Sequence, residues 1–277
     1  MGKRSRIAEI APKALTYLVL SLGALTTMLP FVWMLLTSVK DPSEVLAFRL
    51  LPTVWRFDNY VRALQAAPLA KYFFNTVFVT VISTALTLLV TVLAAFGFSR
   101  LRFPGRDLIF ALLLATLMIP GEMLIITNFV TVSRLGWMDT RTALIVPWVA
   151  SVFFIYLLRQ FFMQIPDSLY YAAKADACSD FRYLWKVMVP MNRQAISTIA
   201  ILNTIGSWNA FLWPLMVTNS ESKRVLSIGL TQFQTEAGTS YELLMAASAL
   251  LVMPMVIMYL LLHKQIIRGV ARSGIKG

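Results

Sequence analysis

Residues 73–98 read FFNTVFVTVISTALTLLVTVLAAFGF, a run of 26 residues without Asp, Glu, Lys, Arg, His or Pro. About 20 apolar residues are enough for a helix to cross the hydrocarbon core of a bilayer. A helix also satisfies its own backbone N–H and C=O groups, which lipid cannot do. The stretch therefore predicts a membrane-spanning helix and decides the fold class.

Five more apolar runs of comparable length flank this stretch on both sides. The run nearest the amino terminus is too long for the apolar part of a signal peptide and lacks a convincing cleavage site. We interpret it as an uncleaved span with a kink near Pro30. The sequence thus predicts an all-α, polytopic membrane protein with six transmembrane helices at approximately 14–38, 73–98, 108–131, 143–162, 195–217 and 243–263.

The composition agrees with a lipid-facing surface. Hydrophobic residues make up 58% of the chain and charged residues 14%, with a mean hydropathy of +0.71. About a quarter of the residues in a soluble domain are charged. The net charge of +12 raises the idea of nucleic-acid binding. We exclude it, because the basic residues lie in short segments between apolar runs, as orientation signals do.

The distribution of Lys and Arg predicts the orientation. An even number of spans puts both termini on one side of the membrane. The side with more basic residues in its loops is the cytoplasmic one. Sixteen of the 25 Lys and Arg residues lie on the side of the termini, in segments 3–13, 100–106, 159–193 and 264–276. We therefore expect an inner-membrane protein with both termini and the loop after the fourth span in the cytoplasm.

Motifs for catalysis are missing from the sequence. It contains no G-x-x-x-x-G-K-[ST], H-E-x-x-H, C-x-x-C or G-x-S-x-G pattern. The single histidine, His263, and the single cysteine, Cys178, cannot readily supply a nucleophile–base pair or a set of metal ligands. We expect no catalytic residue and no metal site, so the energy for transport must come from another chain or an ion gradient.

The segment 165–190 between the fourth and fifth spans predicts two short helices. Pro166 suits a first helical turn, and Ser179 can cap the second helix. Apolar residues follow helical spacing in both, and Pro190 is expected to end the second. Periodicity alone leaves two interpretations open. The pair either lies on the membrane surface as an amphipathic unit or forms a docking surface.

This segment resembles the EAA loop of permease subunits of ABC importers. Ala172, Ala173, Asp176 and Pro190 match its pattern E-A-A-x-x-D-G-A, with proline later, at the right spacing. Three positions depart from it, with Tyr171, Ala177 and Cys178 in place of the usual glutamate, glycine and alanine. Segments 158–162, 207–215 and 268–277 resemble the carbohydrate-uptake branch, specifically the second permease of maltose and glycerol-phosphate systems.

The resemblance implies a type I importer permease fold and a division of labour between chains. It implies a core domain at 73–265 that includes a coupling loop at 165–190, preceded by the segment 1–72 and followed by a cytoplasmic tail at 266–277. Partners would be a second permease subunit, two ATPase subunits that hold ATP and Mg, and an extracytoplasmic solute-binding protein. The residues implied in coupling are Tyr171, Ala172, Ala173, Asp176, Ala177 and Phe181.

Four polar residues within the spans are candidates for a substrate pathway: Glu122, Asn203, Ser207 and Asn209. A carboxylate at membrane depth is costly and suggests function, although Pro120-Gly121 could instead break the helix and leave Glu122 in water. Amides next to aromatic rings suit sugars. Polar side chains of this kind also hold helices together in lipid.

These observations and the resemblance predict a permease subunit that moves a sugar or related polyol inward. The alternative is a stand-alone secondary transporter or channel for a polar solute. A solitary carrier is expected to show repeated halves and buried ion sites. The sequence shows no such repeat, and the charged loop after the fourth span is what an importer permease needs.

Overall fold

The structure, a computed structural model, describes residues 2–47, 49–235 and 238–271. The described chain is mostly helical, and its strands are two residues long. It divides into two compact units, Met1–Pro68 with Leu230–Met253, and Leu69–Gly229 with Pro254–Gly277. The predicted all-α fold is confirmed. The predicted domain boundaries at 72 and 265 stay predictions, and residues 272–277 of the predicted tail lie outside the described part.

The first unit begins with the long helix α1 (Gly2–Thr37), which is followed by a 3₁₀ turn (Pro42–Glu44) and α2 (Asp58–Ala66). Asn59 is fully buried and donates from Nδ2 to the carbonyls of Ser38 and Lys40 at 3.1 and 2.8 Å. A buried amide satisfied in this way fixes the chain just after α1 against α2.

The second unit contains most of the helices. Its elements are α3 (Leu69–Arg100), α4 (Arg106–Thr116), a 3₁₀ turn (Gly121–Leu124), α5 (Ile125–Arg134), α6 (Arg141–Ile145), a 3₁₀ turn (Val146–Trp148), α7 (Val152–Met163), α8 (Asp167–Ala175), α9 (Asp180–Tyr183), a π turn (Leu184–Met188), α10 (Val189–Met191), α11 (Arg193–Trp208), α12 (Leu212–Val217) and α13 (Leu226–Gly229).

The carboxyl-terminal part of the described chain ends in one long helix. A 3₁₀ turn (Leu230–Phe233) leads into β1 (Gln234–Thr235), which pairs antiparallel with β2 (Gly238–Thr239). The last helix, α14 (Tyr241–Ala271), contains Pro254 and covers the predicted sixth span.

The helices that cover the predicted spans differ in length and in continuity. In the described residues, three helices are long and apolar enough to cross a membrane, Leu15–Thr37, Leu69–Arg100 and Tyr241–Leu261. Two bent pairs meet the same test together, which gives up to five spans by length and composition. The predicted span 195–217 is interrupted after Trp208, and α11 has only 16 residues. At 1.5 Å per residue α11 measures about 24 Å, less than a full hydrocarbon core.

The predicted third span, 108–131, is broken at Pro120-Gly121. Its two halves, Arg106–Thr116 and Gly121–Arg134, meet at an angle of 91°. Pro120 has an extended ψ of 128° and no N–H, so the helix cannot continue through it. Of the two interpretations of this segment, the structure shows the helix break, and Glu122 lies exposed in the first turn after it.

Two hydrophobic clusters organise the second unit. One joins α3, α7 and α11 to the segment 183–188 and includes Phe96, Phe162 and Met188. The other surrounds Trp213, whose Nε1 donates to the Ala143 carbonyl at 2.9 Å, and includes Val79 and Ile228. The first cluster carries the helical loop 165–190, and a cavity bordered by residues of α3, α7 and α11 lies within the same unit.

Candidate functional site

The two predicted helices of the loop 165–190 are present. Helix α8 begins directly after Pro166, and the Ser179 hydroxyl caps α9 by accepting a hydrogen bond from the Arg182 N–H at 3.3 Å. The helical run that starts with α9 continues to Met191, one residue past Pro190. A π turn precedes Pro190, because a proline ring clashes with the carbonyl four residues earlier and a wider turn relieves the clash.

Ala177 occupies a position at the end of α8 that normally belongs to glycine. Its φ is +54°, in the left-handed region. The N–H of Cys178 donates to the Ala173 carbonyl at 2.9 Å and that of Ala177 to the Lys174 carbonyl at 3.0 Å. These two bonds form a Schellman motif, in which glycine is preferred. A negative φ at Ala177 would have made the replacement of glycine cheap; the positive φ costs about 1 kcal/mol relative to glycine.

The side chains of α8 are split between two environments. Ala173 is half-buried and packs against the cluster that contains Phe162 and Met188. Ala172 and Tyr171 are exposed. The implied role of both alanines in coupling stays a prediction. Adjacent residues of a helix point about 100° apart, so α8 can turn Ala173 toward the cluster and Ala172 away from it.

The second helix is split in the same way. Leu184 and Met188 are buried in the cluster, whereas Phe181 is 67% exposed. Phe181 meets the ring of Trp185 edge-on at 6.1 Å. We refer to the exposed side chains Tyr171, Ala172 and Phe181 as the coupling surface, after the role that the resemblance to the EAA loop implies for them.

Tyr171, which stands where the EAA pattern has glutamate, has a hydrogen-bond partner. Arg102 donates from Nη2 to the Tyr171 hydroxyl at 3.0 Å. Arg102 belongs to the connection between α3 and α4. The tyrosine thus accepts a bond from a cation, which links the loop 165–190 to the connection between α3 and α4.

A small polar network connects α8 to α9. The Asp180 carboxylate accepts from Lys174 Nζ at 2.7 Å and from the Tyr170 hydroxyl at 2.7 Å. These two bonds lower the pKa of Asp180 below its usual value, the bond from Lys174 having the larger effect. The same contact with Asp180 raises the pKa of Lys174. Both groups are therefore charged at neutral pH, and the two loop helices are held together.

Arg100 connects the loop to the end of α3. Its side chain is only 4% exposed, and Nη2 donates to the carbonyls of Phe162 and Ile165 at 2.7 and 2.5 Å. Its Nη1 forms an ion pair with Asp167 in the first turn of α8. Sequence reasoning treated Arg100 only as an orientation signal. Its partners lie more than 60 residues further along the sequence, so no local sequence pattern indicates this role.

A cavity of about 690 Å³ lies within the second unit. Three of the four predicted pathway residues line it, namely Glu122, Asn203 and Ser207. Trp148, Phe154, Phe211 and Trp213 contribute aromatic walls. The edge-on contact between Trp148 and Trp213, with centroids 5.6 Å apart, fixes the orientation of these two rings. Asn209 is not part of the lining, since its Nδ2 donates back to the Ile205 carbonyl at 2.9 Å.

Asn203 and Ser207 have a packing role as well. Asn203 donates from Nδ2 to Thr84 Oγ1 at 3.0 Å, and Ser207 donates to Thr80 Oγ1 at 3.4 Å. These bonds join α11 to the polar side of α3. The two interpretations of these residues, helix packing and cavity lining, therefore apply together. An amide has more hydrogen-bonding atoms than the one bond to Thr84 uses, so Asn203 can serve both.

Comparison with known proteins identifies the family. Residues 88–272 match the family model described as the binding-protein-dependent transport system inner membrane component. The chain is 32% identical over 259 residues to the arabinooligosaccharides transport system permease protein AraQ of Bacillus subtilis, covering 92% of each chain. It is 33% identical over 265 residues to the diacetylchitobiose uptake system permease protein NgcG of Streptomyces coelicolor, covering 94% of this chain and 88% of that one.

A solved structure agrees with this result. The chain superimposes with a TM-score of 0.83 and 25% identity on a chain of a bacterial ABC transporter that imports the acidic polysaccharide alginate, covering 95% of this chain and 98% of that one. The protein belongs to the binding-protein-dependent transport permeases and has the fold of an ABC importer subunit. It is the membrane-embedded permease and not a catalytic subunit, and this membership disfavours the stand-alone carrier.

Proposed function

We propose that this permease carries a sugar or a related polyol inward across the cytoplasmic membrane. The cavity is the observation that supports the proposal. It combines an amide and hydroxyls with aromatic walls, and sugars need fixed donors for their hydroxyls and flat rings for their C–H faces. Relatives whose names state arabinooligosaccharides and diacetylchitobiose as cargo agree with it.

The same proposal gives the coupling surface a partner. ATP and Mg are bound by two ATPase subunits on separate chains, and one of them receives the coupling surface in a groove. A second permease subunit completes the pathway, and an extracytoplasmic solute-binding protein delivers the sugar. The bonds of Arg100 and Asp180 support this role, because they make the loop rigid enough to transmit movement to α3.

The sugar assignment is tested with the double variant Asn203→Leu, Ser207→Ala. We expect uptake of radiolabelled arabinobiose or lactose per assembled transporter to fall about tenfold, because two hydrogen bonds to the cargo at roughly 0.5–1.5 kcal/mol each are lost. ATPase activity without sugar should persist, since the coupling surface is untouched.

Two matched controls separate cargo contact from packing. Thr84→Val removes the partner of Asn203 on α3, and Thr84 does not line the cavity. Asn209→Ala removes a neighbouring amide that also lies outside the lining. Both should transport normally. A loss of uptake in Thr84→Val as large as in the double variant would assign these residues to packing, and undiminished uptake in the double variant would remove them from the sugar site.

The orientation is tested by labelling single cysteines in a Cys178→Ser background. Ala175 at the end of α8 and Glu221 after α12 are both exposed. A membrane-impermeant maleimide applied to intact spheroplasts should label Glu221→Cys and not Ala175→Cys. After lysis both should react. Labelling of Ala175→Cys in intact spheroplasts would place the loop 165–190 outside and would contradict its contact with an ATPase.

A further inference from the structure

The cavity carries charge of one sign. Glu122 is the charged residue in its lining, and no Lys, Arg or His of the described chain lines it. The chain as a whole is strongly basic, with a net charge of +12. The charged side chain in the lining therefore has the sign opposite to the net charge of the chain.

The Glu122 carboxylate is also unneutralised. In the described part of the chain it forms no ion pair and no side-chain hydrogen bond. It stands at the break after Pro120, where the chain turns by 91°, so its side chain is held at the cavity by a fixed backbone feature. The rest of the lining is neutral, with Asn203, Ser207 and aromatic rings.

We propose that Glu122 is a specificity-determining residue that makes this cavity select uncharged saccharides and reject those that carry a carboxylate, sulfonate or phosphate. The inference rests on the proposed function and narrows its substrate class. Two like charges about 7 Å apart at an effective dielectric constant near 20 repel strongly enough to change affinity by one to two orders of magnitude. A neutral sugar meets no such penalty.

The test measures binding to the whole detergent-solubilised transporter with the solute-binding protein left out, so that its own selectivity does not mask that of the cavity. The probes are tritiated cellobiose and lactose, each paired with the counterpart in which one C6 hydroxymethyl group is oxidised to a carboxylate. For the wild type we expect the acidic member of each pair to bind at least tenfold more weakly. This ratio should shrink as ionic strength rises.

Glu122→Gln keeps the size of the side chain and removes its charge. It should raise the affinity for the acidic probes about tenfold and change that for the neutral probes less than threefold. Glu221→Gln removes the same charge from an exposed position outside the lining and should leave the ratio unaltered. Because Glu122 has no partner to lose, the melting temperature of Glu122→Gln should equal that of the wild type.

An unchanged ratio in Glu122→Gln, or equal binding of neutral and acidic probes by the wild type, overturns the inference. If no probe binds while the complete transporter still takes up sugar, this cavity is not the sugar site and the inference also fails, but the proposed function stands. If the complete transporter takes up no sugar either, the proposed function fails with it.

Discussion

Replacing Arg100 with methionine should lower the melting temperature of the purified permease by about 5–10 °C. Methionine keeps the length and apolar stem of the side chain and removes the donors. The carbonyls of Phe162 and Ile165 then lose charge-assisted bonds, and Asp167 loses its ion pair. Hydrogen bonds to charged groups contribute about 1.5–3 kcal/mol each, while the exposure of Asp167 reduces its share, so a loss of about 3 kcal/mol is expected.

Two further variants test this explanation of Arg100. Arg100→Lys keeps the charge but offers an ammonium in place of the planar fork, so it should recover less than half of the lost stability. Arg102→Met removes an exposed arginine two residues away, whose bond to Tyr171 is a single exposed contact. Its melting temperature should change by less than 2 °C. The measurement is tryptophan fluorescence on heating. A melting temperature of Arg100→Met within 2 °C of the wild type would show that the three contacts do not stabilise the fold.

Replacing Ala172 with glutamate should abolish sugar uptake and release the ATPase subunit. Ala172 is exposed in the isolated permease and lies on the coupling surface. If that surface is buried against an ATPase, the new carboxylate loses its hydration without gaining a partner. Such a burial costs about 3 kcal/mol, which corresponds to a roughly hundredfold weaker interaction. The measurement is the amount of ATPase that co-elutes with the permease in mild detergent, together with uptake per permease.

The structure makes Ala172 a better test than Ala173. Ala173→Glu would put a charge against the permease's own cluster and would lower stability whether or not an ATPase binds. Ala172→Glu should leave the melting temperature of the permease unchanged. Ala66→Glu, at the exposed end of α2, adds the same charge outside the loop 165–190 and should retain uptake and co-elution. Wild-type co-elution of the ATPase with Ala172→Glu would refute the proposed docking of this surface.

The length of the apolar runs determined the fold class. A run such as 73–98 has few alternatives to a helix in lipid, and α3 covers it from Leu69 to Arg100. The loop helices were equally predictable, because Pro166 and Ser179 mark the starts of the helices that directly follow them. Glu122, Asn203 and Ser207 were chosen as polar residues within apolar runs, and all three line one cavity. These features depend on local chemistry, which sequence shows directly.

The tertiary structure decided what depends on contacts between distant residues. Asn209 was predicted on the same grounds as Asn203, because both are amides near aromatic residues. In the structure its Nδ2 bonds to a carbonyl of its own helix, and the residue does not line the cavity. Ala173 packs against the core and Ala172 is exposed, because adjacent helical residues point about 100° apart and α8 packs with the side of Ala173 inward. Arg100 holds the loop because folding brings carbonyls of Phe162 and Ile165 to the end of α3. Periodicity fixes which residues share a face of a helix, but only packing determines which face meets the core, the cavity or the solvent.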